Sequence, residues 1–197
     1  DIAAWCGIDF GNDFANPLRY AKNLYLNGEL VTELVIPEGV KEIKNYAFYY
    51  CSNLVSVELP AALTSIGEEA FARCSLTTIV IPANVKSIGN NAFANNRELT
   101  EVTSLISAEK LFAIPVFVTT KIYSTCTLYV HIGARETYAA TEGWSRFANI
   151  VEQDLSDIED VLGEELDNAV FYDLNGRVVE YPTNGIYIVN GKKVFVK

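Results

Sequence analysis

Apolar and polar positions spell one pattern three times between residues 31 and 96. The first copy reads Val31-Thr-Glu-Leu34-Val-Ile36-Pro37, then Val40 and Ile43, Ala47-Phe48 and Cys51. The second reads Leu54-Val-Ser-Val57-Glu-Leu59-Pro60, then Leu63 and Ile66, Ala70-Phe71 and Cys74. The third reads Leu76-Thr-Thr-Ile79-Val-Ile81-Pro82, then Val85 and Ile88, Ala92-Phe93 and Asn96. Pro37, Pro60 and Pro82 fix the offsets at 23 and then 22 residues. A fourth copy begins at Leu99 and Val102 and then loses the pattern. The alternation that ends at each proline predicts a strand, and proline stops it because it cannot donate to a ladder. The following Val-x-x-Ile or Leu-x-x-Ile predicts a second short extended segment. The Ala-Phe step predicts a turn of helix that sets one large ring between layers. Units this short cannot bury a core alone, so they stack. The expected core is Leu34, Ile36, Val57, Leu59, Ile79 and Ile81 from the first strands. Ile43, Ile66 and Ile88 join them from the second segments, with Phe48, Phe71 and Phe93 between layers.

Composition adds limits rather than a new picture. Half of the 197 residues are apolar, which excludes a disordered chain. The longest apolar run, Leu111 to Val118, is too short to span a bilayer and contains Pro115. The chain opens at Asp1 and contains no methionine, as expected of a mature or trimmed product. Its formal charge is −10, and eight of its acids lie within residues 152–167 without one base. Such acidity excludes a phosphate-binding stripe, and with it nucleic acid, and it excludes an electrostatic membrane anchor.

Candidate chemistry is sparse. Cys51 and Cys74 hold equivalent repeat positions. They read as a buried ladder of small polarisable side chains, with Asn96 in third place, and stacked strands also lie close enough for a disulfide. Without a CxxC pair, the four cysteines do not suggest a structural zinc site. His131 is the only histidine. Cys126 lies five residues before it, which on an extended segment puts the two on opposite faces and argues against a Cys-His nucleophile. The run Asp154, Asp157, Glu159, Asp160, Glu164, Glu165, Asp167 lacks the order of a calcium loop and reads as a solvated linker. Trp5, Trp144 and the tyrosines suit sugar stacking, although aromatics in a cap more often belong to the core. No G-x-S-x-G, H-E-x-x-H or phosphate loop is present, so no enzyme, cofactor or metal is expected.

The repeated Ile-Pro, Val-x-x-Ile, Ala-Phe, x-x-Cys, x-x-Leu resembles the leucine-rich repeats of the BspA type, found in surface proteins of Bacteroides-like bacteria. The resemblance implies a right-handed leucine-rich-repeat solenoid, mostly β with short helical turns, and an extracellular or cell-surface location. The flanks resemble the family's ends: Trp5-Cys6-Gly7-Ile8 through Asn27-Gly28 on one side, Cys126 to Ile150 on the other. There the family carries proline where His131 stands. The expected organisation is an array over 1–150, with an N-terminal cap to about residue 30, repeats over about 30–105 and a C-terminal cap over about 105–150. An acidic linker follows over 151–168. Residues 169–197 form a small antiparallel β module, with hairpin turns at Asn175-Gly176 and Asn190-Gly191. It resembles C-terminal modules of Bacteroides-type secreted proteins, some of which are export signals, and it is small enough to need docking on the array.

Two rows on the strands point away from the expected core. Glu33, Ser56, Thr78 and Glu101 make one, and Val35, Glu58, Val80 and Thr103 the other. In a solenoid such rows make an extended recognition surface. The function expected from them is non-catalytic binding of a protein or glycan on host or neighbouring cells. By the resemblance this means adhesion. The alternative is a glycan-binding component of a nutrient-capture system, which would need exposed aromatic platforms.

Overall fold

Each copy of the repeat closes one coil, and each coil hangs on the one before it. The computed structural model describes residues 1–115, 120–155, 159–161, 170–172, 177–179, 185–189 and 192–196. It divides into two units, Asp1–Gln153 and Asp154–Lys197. The first unit opens with helices α1 (Ile2–Cys6) and α2 (Leu18–Ala21) and the hairpin β1 (Tyr25–Leu26) and β2 (Glu29–Leu30). The coils follow: β3 (Glu33–Val35) with β4 (Glu42–Ile43), β5 (Ser56–Glu58) with β6 (Ser65–Ile66), β7 (Thr78–Ile81) with β8 (Ser87–Ile88), then β9 (Glu101–Ser104). Helix α3 (Thr120–Thr125), β10 (Thr127–His131), α4 (Arg135–Ala140) and β11 (Asn149–Gln153) end the unit.

The coil strands pair in parallel and in register. Leu34 faces Val57, Ile79 faces Val102, and Ile43, Ile66 and Ile88 line up across β4, β6 and β8. A third seam joins the Ala-Phe segments. Phe48 N donates to Ala70 O and Phe71 N to Ala92 O, each at 2.8 Å. These segments are turns rather than the expected helical turn. Tyr46, Glu69 and Asn91 before the alanines have left-handed φ angles of 59°, 48° and 56°. So do Tyr50, Arg73 and Asn95 four residues later, at 64°, 60° and 62°. Two left-handed residues bend the chain around each buried Phe, where a helix would have carried it onward. The three rings stack at 5.2 and 5.5 Å between centroids, within 12° of parallel.

Close stacking has a second mark. A Cβ on Gly67 would lie 2.5 Å from Asn45 N, and one on Gly89 would lie 2.3 Å from Glu68 N. The equivalent residue of the first coil is Lys44, whose backbone N donates to Cys6 O in the cap.

One junction departs from the rest. Strands β3 and β5 form one sheet, and β7, β9, β10 and β11 form another. The link Cys74-Ser75-Leu76 is one residue shorter than Cys51 to Leu54 or Asn96 to Leu99. Across it, Thr77 N donates to Val55 O at 3.2 Å, but β5 and β7 share no ladder. The expected core is buried except beside this junction, where Val57 and Leu59 are half-buried.

Both ends of the array are closed. At the first end the Trp5 indole N–H donates to Ala47 O at 2.7 Å, and Asn16 Nδ2 donates to the same carbonyl at 3.1 Å. At the hairpin, Asn27 and Gly28 both take positive φ, 52° and 88°, as a two-residue turn between twisted strands requires. At the other end, β10 and β11 extend the parallel sheet through residues read in sequence as a cap. Tyr138 and Trp144 are fully buried there. The Tyr138 hydroxyl donates to Ile106 O, and the Trp144 indole N–H donates to Phe112 O.

In the second unit, β12 (Glu159–Val161), β13 (Phe171–Tyr172), β14 (Val178–Val179), β15 (Gly185–Val189) and β16 (Lys192–Val196) pair in the order β12-β16-β15-β13-β14. The β12–β16 pair is parallel and the others antiparallel. The expected turns at Asn175-Gly176 and Asn190-Gly191, and most of the acidic run, lie outside the described residues.

Candidate functional site

The strand face follows directly from β register. Side chains alternate across a strand, so those flanking the buried Leu34, Ile79, Val102 and Leu128 stand on the opposite side. Four strands carry them in unbroken rows: Thr78, Glu101, Thr127 and Asn149 in one, Val80, Thr103, Tyr129 and Val151 in the next. Glu33 and Ser56, with Val35 and Glu58, continue these positions on the smaller sheet. Glu33, Val35 and Thr78 are exposed, and Ser56, Val80 and Glu101 are half-exposed.

Two residues expected on this surface are buried. Glu58 keeps 7% of its surface and Thr103 8%. Glu58 lies at the junction that lacks a ladder, where Val57 and Leu59 are less deeply inserted. Thr103 lies inside the four-stranded sheet between Val80 and Tyr129, both of them branched or aromatic side chains on the same face. Conversely, Thr127, Tyr129, Asn149 and Val151 belong to the face without having been expected there. Their signal was legible in Thr127-Leu-Tyr-Val-His131, an alternation with Leu128 and Val130 inward. The repeat pattern had already faded, which hid it.

A second feature lies over the Ala-Phe turns. The left-handed residues form two columns, Tyr46, Glu69, Asn91 and Tyr50, Arg73, Asn95. Between them run Tyr49, Ala72 and Ala94, which pack together as a small cluster separate from the main core. Where alanines replace the tyrosine, a polar groove of about 310 Å³ opens, with Asp13 of the cap at its rim. Tyr46 and Tyr49 meet edge to face at 5.9 Å. Arg73 lies over the Tyr50 ring at 5.5 Å. Asp13 is paired with Arg19. Burial, then the nearby Glu68 and Asp13, raises the Glu69 carboxyl above its usual range, while Arg73 pulls it back.

The BspA type leucine rich repeat pattern matches residues 21–126, in six copies. The chain belongs to this family. Among solved structures, it is similar to a leucine rich cell surface protein from Faecalibacterium prausnitzii A2-165, with 41% identity, 40% of this chain and 21% of that one covered, and a TM-score of 0.39. It is also similar to the pneumococcal vaccine antigen PcpA, with 18% identity, 65% and 37% covered, and a TM-score of 0.43. A leucine-rich repeat protein from Bacteroides ovatus ATCC 8483 matches at 22% identity, 61% and 37% covered, with a TM-score of 0.36. The chain thus spans 21 to 37% of the length of these structures. No curated protein matches it.

Against this family's coil, the candidate chemistry resolves into structure. All four cysteines are free and buried. Burial pushes the thiols of Cys6 and Cys51 up to about 11, that of Cys126 to about 12, and that of Cys74 well above its usual value. Such thiols carry almost no thiolate at neutral pH. The Cys74 thiol instead donates to Phe48 O at 3.3 Å. The third place of this ladder, Asn96, is fully buried. Its Nδ2 donates to Phe71 O at 2.9 Å and Phe93 O at 2.8 Å, and its Oδ1 accepts from Leu76 N at 3.0 Å. Cys126 precedes β10 and His131 ends it, with His131 Nε2 against Leu105 O at 3.1 Å. His131 pairs with Gln153 at the end of β10 and β11. Trp5 spends its indole N–H on a carbonyl of the first coil and Trp144 on one of the C-terminal cap. Among the described residues no cluster of His, Cys, Asp and Glu has metal-binding geometry, and no helix is long and apolar enough to cross a membrane.

Proposed function

We propose that this chain is a non-catalytic binding protein of a bacterial cell surface, and that it holds a protein partner on its strand face. The observation that carries the reading is the pair of in-register rows across β7, β9, β10 and β11. Parallel strands repeat every 4.7–4.9 Å or so, so four of them set small, polar and aromatic side chains on a regular grid. A grid of Thr78, Glu101, Thr127, Asn149 and Tyr129 suits a folded protein surface better than a small substrate. Family membership supports surface location and adhesion. The strand pairing within residues 159–196 supports a small β module at 169–197, beyond an acidic segment at 151–168.

The test is a binding panel of immobilised host matrix proteins and polysaccharides, run with the native chain and with a Thr78→Lys, Asn149→Lys double variant. Both positions are exposed, so the variant is expected to fold. Loss of a protein hit in the variant supports the reading. A protein hit that the variant retains removes recognition from this face.

A further inference from the structure

We infer that the strand face takes a basic protein surface, anchored by one lysine or arginine side chain held between the Glu101 carboxylate and the Tyr129 ring. The inference rests on the reading of this face as a protein-binding surface and adds the chemistry of the partner.

The charge comes from the rows themselves. The two rows that run over β3, β5, β7, β9, β10 and β11 contain three glutamates, Glu33, Glu58 and Glu101, and neither lysine nor arginine. Glu58 is buried, and Glu33 stands exposed on the smaller sheet. Glu101 is half-exposed in the interior of the four-stranded sheet. Its side chain makes no hydrogen bond or ion pair with any described residue. A carboxylate partly screened from water attracts a cation more strongly than one that is fully solvated.

Register supplies the second group. Thr127 lies directly across from Glu101, and Tyr129 follows two residues along β10 on the same face. Strands ~4.8 Å apart put that diagonal within reach of a long side chain and an aromatic ring. In keeping with this, burial and then the Glu101 carboxylate raise the Tyr129 phenol above its usual value. An ammonium or guanidinium entering here meets a carboxylate on one side and an electron-rich ring on the other. Val80 and Val151, in the Tyr129 row, offer apolar surface to its stem.

Other classes of partner fit less well. Tyr129 is the single aromatic side chain of the rows, so a sugar finds no platform of several rings. Nucleic acid and anionic lipid are repelled by the same carboxylates. A basic protein gains both a faster encounter and a central aromatic anchor.

The test is a titration of the isotope-labelled full chain, followed through its amide resonances. The probes are reduced cytochrome c, a folded basic protein, and lysine-acetylated cytochrome c, which has lost that charge. Glu101→Gln removes the charge and keeps the shape. Glu33→Gln removes an exposed carboxylate from the same row. Tyr129→Phe keeps the ring, and Tyr129→Leu removes it. The amide spectrum verifies that each variant is folded. Should Tyr129→Leu not fold, the contrast between the two glutamine variants decides.

Native cytochrome c is expected to shift the amides of Glu101, Thr127 and Tyr129 and to bind more weakly at high salt. Glu101→Gln weakens binding about tenfold, and Glu33→Gln by no more than about twofold. Tyr129→Phe binds as the native chain does, Tyr129→Leu binds several-fold more weakly, and the acetylated probe leaves the spectrum unchanged. Suppose a protein whose binding is lost in Thr78→Lys, Asn149→Lys keeps its affinity in Glu101→Gln and at high salt. The inference is then overturned while the strand-face reading stands. It is overturned as well if cytochrome c does not bind, if the two glutamine variants weaken binding equally, or if the shifts fall only within the acidic segment at 151–168.

Discussion

Asn96 shows how much one side chain holds in a coil. Where the first two copies carry cysteine, it supplies two donors and one acceptor to backbone groups that have left water. Asn96→Ala strands Phe71 O, Phe93 O and Leu76 N together. The expected cost is about 3 kcal/mol or more, read as a lower urea midpoint at unchanged slope. Glu69 provides a pH test at the same scale. Its carboxyl titrates higher in the folded chain than in the unfolded one. The stability this contributes is therefore present below the ordinary glutamate value of about 4.3 and lost as pH rises through the raised one. Glu69→Gln is expected to melt higher than the native chain at neutral pH, and the gap should close in acid. An equal gap at both pH values would show that the carboxyl titrates normally. Neither residue announced its role in the sequence. Asn96 was visible only as the odd member of a cysteine ladder. Glu69 looked like any surface acid, because nothing in the pattern reveals a left-handed turn.

At the scale of elements, the strands and their inward residues were legible because β alternation and the proline stops are local signals. Leu34, Ile36, Ile79, Ile81 and the second-strand isoleucines are buried as the alternation requires. The Ala-Phe helix was not legible in the same way. Its composition permits a helix, and the inter-coil seam overrides that preference by taking the N–H groups that a helix would use internally. The glycines after Ile66 and Ile88 are the clearest missed signal. Gly89→Ala drives a methyl into the backbone of Glu68, so the coils must separate. It is expected to lower the melting temperature far more than Lys44→Ala, whose position faces only the cap. Comparable losses in the two variants, read by differential scanning calorimetry, would refute the close-approach argument.

At the scale of the whole array, the sequence betrayed the short link as an offset of 22 after one of 23, but not its effect. A missing residue there leaves β5 and β7 side by side without a ladder, and it leaves Glu58 buried where an exposed row was expected. Stacked coils unfold as near-neighbour units. Amide exchange is therefore expected to be faster in β5 and the start of β7 than in β9 and β10. Uniform protection along the first unit would show that the junction is as tight as the others. The C-terminal extent of the sheet was hidden for a different reason. Strands β10 and β11 keep the alternation of the coils, but helices replace the Ala-Phe turns between them, so the repeat ends in sequence before it ends in space.

The lysine at position 44 also gives the array a direction of descent. Coils that carry glycine there can be duplicated and inserted anywhere, because each copy arrives ready to sit on a predecessor. The coil carrying Lys44 cannot be copied inward, since its Cβ would meet the backbone of the coil beneath it. Longer arrays built from this one must grow by repeating the second and third coils, while the first stays beside its cap as a founder.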